Sequence, residues 1–141
     1  MTQHDRATGY VLHFVLEETI PTVNTYKRLH WGKVAKIRRG LYNLVWVATH
    51  GRRPSPPITR CAIYINRYST QEPDPDCIDS SAKLLLDVLQ PYHPKWCPNG
   101  LGIIAQDNSK CIADLKVTHV PARAKTRRTE VWIVELESGS V

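Results

Sequence analysis

Apolar and polar positions change rhythm several times along the chain. Residues 10–20, "YVLHFVLEETI", are dense in aromatic and β-branched side chains and predict a first strand, ended by Pro21. After a loop, "PTVNTYKRLH", the period lengthens. Val34, Ile37, Leu41, Leu44 or Val45, and Ala48 recur every three or four positions, while Lys33, Lys36, Arg38 and Arg39 take the other side, which predicts an amphipathic helix from Leu29. Gly40 weakens that helix without forbidding it. "GRRPSPP" is a break, and "ITRCAIYINRYS" then alternates as a strand with Cys61, Ile63 and Ile65 on one face.

A second helix is expected from near Asp76 or Cys77, with Asp76 as its N-cap and Ile78, Ala82, Leu85 and Leu89 as its buried stripe; Pro91 closes it. "YHPKWCPNG" reads as a loop and "LGIIAQDNS" as a short apolar step into a turn. "KCIADLKVTHVPA" and "TEVWIVELE" predict two final strands, joined as a hairpin by the basic loop "RAKTRR". The order β-α-β-α-β-β predicts an α+β fold, a mixed sheet of about four strands with two main helices packed on it. At 141 residues the chain suits a single domain, with residues 1–9 and 138–141 expected to be flexible.

Composition narrows the picture. The four cysteines, Cys61, Cys77, Cys97 and Cys111, show no CxxC spacing, and two lie in apolar strand-like stretches where a reduced thiol packs as a small hydrophobe. The N-terminal residues are polar, and no segment approaches the ~18 apolar residues of a bilayer span, so an intracellular, cytoplasmic, soluble protein without a membrane partner is expected. The formal charge is +6, and the basic residues cluster in "KRLHWGKVAKIRR", "HGRRPSP" and "RAKTRR". Ordinary solvated faces account for one such run; three point toward a polyanion such as nucleic acid.

Against that background an acidic cluster stands out. Asp74 and Asp76 flank Pro75, and Asp107 follows a short apolar stretch. Helical spacing lines up Asp76, Ser80, Lys83 and Asp87 opposite the buried stripe, with Asp79 close beside Lys83. The plain alternative is a surface salt bridge from Lys83 to Asp79 or Asp87, worth under about 1 kcal/mol. If the three aspartates converge, hard oxygen ligands that leave positions to water and phosphate describe a Mg²⁺ site. A neighbouring lysine then suits phosphodiester chemistry, in which an ammonium stabilises the transition-state charge.

These residues resemble the RusA-type Holliday-junction resolvases, especially the phage-encoded branch. The pattern reads Asp74, Pro75, Asp76, Ile78, Lys83, Asp87, Leu89, then Gly102, Ile103, Ile104 and Asp107. Pro21 and Asn24 match the family's loop after the first strand, and the likeness runs from about residue 10 to 137. It implies that Asp74, Asp76 and Asp107 are catalytic, metal-binding aspartates, that Lys83 is the essential lysine, and that Asp87 is a supporting acidic position. It also implies a homodimer that cuts four-way DNA junctions by paired, Mg²⁺-dependent nicks, with Mn²⁺ as a possible substitute. Symmetry would give each opposed strand its own site. Arg28, Lys33, Lys36, Arg38 and Arg39 on the first helix, and Arg123, Lys125, Arg127 and Arg128 on the late loop, become candidate phosphate contacts. Two positions depart from the family pattern: Cys77 stands for the usual asparagine, and Gln106 precedes Asp107 where the family has an aspartate pair.

Three other readings remain open from the residues alone, one of them a small structural domain with a decorated helix, which would require the three aspartates to lie far apart. A catalytically weak or inactive branched-DNA-binding protein would keep the basic surface; a metal-dependent nuclease acting on other branched DNA would use the same carboxylates and lysine. His93 and Cys97 are four apart, but no second pair completes a zinc site. His13 and His119 read as pairing histidines within strands, Trp31 and Trp46 as core or interface anchors, and Trp96 as an aromatic near the site able to wedge into a junction.

Overall fold

The computed structural model of the protein describes residues 7–21, 29–73 and 78–137. Four strands and two helices follow the expected order: β1 (Ala7–Leu16), α1 (Trp31–Ala48), β2 (Cys61–Ser69), α2 (Lys83–Leu89), β3 (Ile112–Pro121) and β4 (Arg128–Leu136). The fold is α+β, a mixed four-stranded sheet with both helices contributing to one core. Among the described residues, no helix is long and apolar enough to cross a membrane.

Alternation explains which face of the sheet is covered. Register places Phe14 beside Val131, Val131 beside Ile65, and Ile65 beside Val117, so one row of apolar side chains crosses all four strands. These residues join Leu41 and Val45 of α1 and Leu84, Leu85, Val88 and Leu89 of α2 in one buried cluster. Cys61 and Cys111 lie within it as free thiols, and the hydrogen bond with Cys111, followed by burial, raises the Cys61 thiol above its usual range. The opposite face carries the row His13, Trp132, Tyr64 and Lys116.

The strand order β1-β4-β2-β3 corrects the expected hairpin. β4 inserts between β1 and β2, antiparallel to both, while β3 runs parallel to β2 on its other side. Residues 122–127 therefore pass the end of β2, where the Ala122 N–H donates to the Ser69 carbonyl at 3.0 Å, and include a short 3-10 turn at Ala124–Thr126. "RAKTRR" contains no Gly, Asn or Asp, the residues that a tight hairpin turn favours. Thr129, Val131 and Ile133 of β4 are fully buried, whereas β3 exposes Lys116 and Thr118, as suits a central and an edge strand respectively.

Boundaries shift in three places. The second helix, expected from near Asp76 or Cys77, passes through a 3-10 turn at Asp79–Ala82 and is α-helical only over Lys83–Leu89. Ala7, Thr8 and Gly9 belong to β1 rather than to a flexible terminus, and Thr8 Oγ1 donates to Glu135 Oε1 at 2.8 Å. At its other end β1 stops at Leu16, and side chains replace the ladder: the Ile20 N–H donates to Thr129 Oγ1 and Thr19 Oγ1 donates to the Tyr68 carbonyl. Arg67, buried at this edge of the core, donates from Nε to the Ile20 carbonyl at 3.0 Å and from Nη1 to Ser69 Oγ at 3.1 Å. His119 Nδ1 lies 3.2 Å from the same hydroxyl. This network fixes the end of β2, from which the chain continues toward the acidic segment.

Candidate active site

α2 is seven residues long, and five of them, Leu84, Leu85, Leu86, Val88 and Leu89, are buried. The remaining two, Lys83 and Asp87, stand one turn apart, so the core fixes the helix and the helix presents this pair together. Lys83 is exposed and Asp87 half-buried. Asp87 takes its partner from α1: Arg38 Nε lies 3.3 Å from Asp87 Oδ2. Of the two salt bridges that the plain alternative offered, Lys83–Asp87 is thereby replaced, and the lysine stands beside the bridge rather than within it.

The segment after α2 folds back to cap it. The N–H groups of Leu101, Gly102 and Ile103 donate to the carbonyls of Val88, Gln90 and Leu89, partners that a helix C-terminus otherwise lacks. Two glycines make the close return possible. A Cβ on Gly100 would stand 2.4 Å from the Pro91 carbonyl oxygen, and Gly102 adopts φ of +73°, a left-handed conformation strained for other residues. Beyond them Ile104 bridges to Ile58, and the Ala105 N–H donates to the Ile58 carbonyl at 2.8 Å.

A turn then brings Asp107 forward. Asn108 Oδ1 accepts from the N–H groups of Lys110 and Cys111, and Asn108 Nδ2 donates to Gln106 Oε1 at 2.7 Å. Both neighbours of Asp107 are thus committed to bracing the turn. Asp107 lies within electrostatic reach of Asp87 and Lys83. Partial desolvation and then the Asp87 charge raise its carboxyl above the ordinary value, while the Lys83 ammonium opposes them.

A cleft of about 350 Å³ adjoins Lys83 and Asp87, lined also by Arg38, Gln90, Trp96 and Asn99 among others. Its outer wall is the loop after α2. His93 and Cys97 form a backbone bridge, and His93 Nδ1 accepts from the N–H groups of Lys95 and Trp96. The Trp96 ring stacks on His93 at 3.8 Å and is 81% exposed. Cys97 Sγ donates to the Asp87 carbonyl at 3.1 Å, and burial, reinforced by the Asp87 charge, pushes its thiol up. His93 and Cys97 therefore serve the turn.

Asp74, Asp76, Cys77 and Arg28 lie outside the described residues. Among the described residues, no group of three or more His, Cys, Asp or Glu side chains is placed to hold a metal. Lys33, Lys36 and Arg39 are exposed along α1, on the helix that supplies Arg38 to the site. Arg123, Lys125 and Arg127 are exposed at the C-terminal end of β2 and β3, whereas Asp107 precedes β3 at the other end of the sheet. Arg128 sits over the Tyr68 ring at 3.7 Å. Trp31 and Trp46 are 76% and 42% exposed, which excludes them from the core of this chain. Sequence reasoning missed the Arg38–Asp87 bridge and the cleft amides Gln90 and Asn99; helical phase gives no sign of a partner on another element. Compared with models of known families and with curated proteins, the chain matches none.

Proposed function

We propose that the chain is a structure-selective DNA endonuclease of the RusA type, which resolves four-way junctions by paired phosphodiester hydrolysis as a homodimer. The observation that carries this reading is the Lys83 and Asp87 pair on a buried short helix, with Arg38 bridged to it from the basic face of α1 and Asp107, on a braced turn, within electrostatic reach.

Each group has a task in this chemistry. The Lys83 ammonium is exposed and able to meet a phosphate oxygen as charge builds in the transition state. Asp87 holds Arg38 at the cleft, so that its guanidinium is oriented before DNA arrives. Lys33, Lys36 and Arg39 continue the positive strip along α1 as backbone contacts. Asp107, with Asp74 and Asp76, would hold Mg²⁺ or Mn²⁺. The donor chemistry fits: an exposed carboxylate repelled by a second one is relieved by a hard divalent cation, and Mg²⁺ needs only one or two carboxylates from the protein. When bound, the ion lowers the pKa of a water and neutralises charge on the phosphate.

The deciding experiment is cleavage of an end-labelled mobile four-way junction in Mg²⁺, beside a linear duplex, for the wild type, Lys83→Ala and Asp107→Asn. Paired nicks at the junction are expected, falling by about 10²-fold or more in both variants while binding without metal persists. Binding without cutting in either Mg²⁺ or Mn²⁺ would make this a junction-binding protein. Equal cutting of the duplex would remove the structure selectivity.

A further inference from the structure

The cleft beside Lys83 holds more than a hydrolytic site requires. Its volume of about 350 Å³ lies at the lower end of the range for small-ligand sites, roughly 300–1,000 Å³. The Trp96 ring is supported on one side by His93 at an interplanar angle of 16°, which leaves its other face open. The turn that carries Trp96 is fixed by the two N–H bonds to His93 Nδ1, so little order has to be created when a ring stacks there. Gln90 and Asn99 line the same cleft, their side-chain amides each offering a donor and an acceptor, and Arg38 and Lys83 line it with positive charge. A planar apolar surface, amides able to read the edge of a ring, and cations within one small volume match the parts of a nucleotide.

We propose that this cleft is a nucleotide pocket, taking one unpaired base of the bound strand against Trp96, with its edge read by Gln90 and Asn99 and its phosphate drawn toward Arg38 and Lys83. The proposal rests on the endonuclease reading for the identity of the strand. It adds that a base is drawn out of the stack at the branch point, and that sequence preference is confined to that nucleotide. Unstacking is easiest where pairing is already interrupted, so the pocket itself favours branched over continuous duplex DNA.

The test uses binding rather than cutting. 2-Aminopurine is placed in turn at each position flanking the crossover of an immobile four-way junction, and its fluorescence is followed on adding the protein in EDTA. One position is expected to respond to binding, to lose that response with Trp96→Ala and to keep it with Trp96→Phe. Trp96→Ala is also expected to weaken junction binding roughly five- to tenfold. In Mg²⁺, Gln90→Ala with Asn99→Ala should flatten any preference for the base at that position. If the junction is cut but fluorescence and affinity are unchanged by Trp96→Ala at every position, the pocket is overturned and the nuclease reading stands. A Trp96-dependent response without cutting supports the pocket and removes the nuclease. Absence of junction binding overturns both.

Discussion

Two clusters of charged and aromatic side chains sit on different faces of this molecule. On the outer face of the sheet, the Glu130 carboxylate has partners for both oxygens. His13 Nε2 lies 2.7 Å from its carboxylate, the Tyr68 hydroxyl donates to it at 3.2 Å, and Arg128 covers the Tyr68 ring. Trp132 stacks on His13 to complete the set. Beside α2 the arrangement is lopsided. Asp87 is bridged to Arg38, but its charge still presses on Asp107 and on the Cys97 thiol, and the Trp96 ring faces solvent. The first cluster has used its interactions to join strands. The second retains electrostatic strain and open surface, which a bound cation and a nucleic acid can relieve.

Substitutions separate the two most sharply at Lys83. Lys83→Ala should reduce junction cleavage by about 10²-fold or more while moving stability by no more than about 0.5 kcal/mol, measured by nicking rates and urea unfolding. Gly100→Ala attacks the support of the open cluster, because its Cβ meets backbone that cannot swing away. It should cost roughly 2 kcal/mol or more and lower cleavage through the displaced loop. Glu130→Ala should cost at most about 1 kcal/mol, from the loss of a partly exposed pair and one hydroxyl bond, and leave cleavage unchanged. If it lowered cleavage as Lys83→Ala does, the two clusters would not be functionally distinct.

The smallest effect is on pH dependence. A carboxyl raised in the folded state binds more protons there than when unfolded, so its stabilising contribution is complete below its ordinary value of 3.8 and declines as pH rises through the folded value. In EDTA, Asp107→Asn should therefore be slightly more stable than wild type at neutral pH. Asp107 is exposed, so the gain should stay below about 0.5 kcal/mol and vanish in acid. A loss of stability at neutral pH would mean that the carboxylate is favourably paired.

The order of elements was legible because each carries its own period, two in the strands and three to four in α1. The placement of β4 was not, since a strand buried by neighbours on both sides has the same alternation as one in a terminal hairpin. The start of β1 escaped because Gly9, at φ of +95°, sits in an irregular stretch of the β1–β4 pairing, which extends the strand through polar residues. Lys83 and Asp87 could be placed on one helix from spacing alone. Arg38, 49 positions earlier, and the amides of a loop without periodicity could not.

The position of β4 also governs how the protein is made. The strand synthesised last of the four is the one that must enter the middle of the sheet, so β1 and β2 emerge from the ribosome with no shared partner. Each then presents an unsatisfied backbone edge next to apolar side chains that have nothing to cover them. The nascent chain remains prone to aggregation until β4 has been synthesised, and such long-range pairing folds slowly once it has. Removing β4 would not trim an edge from this domain but would split the sheet in two.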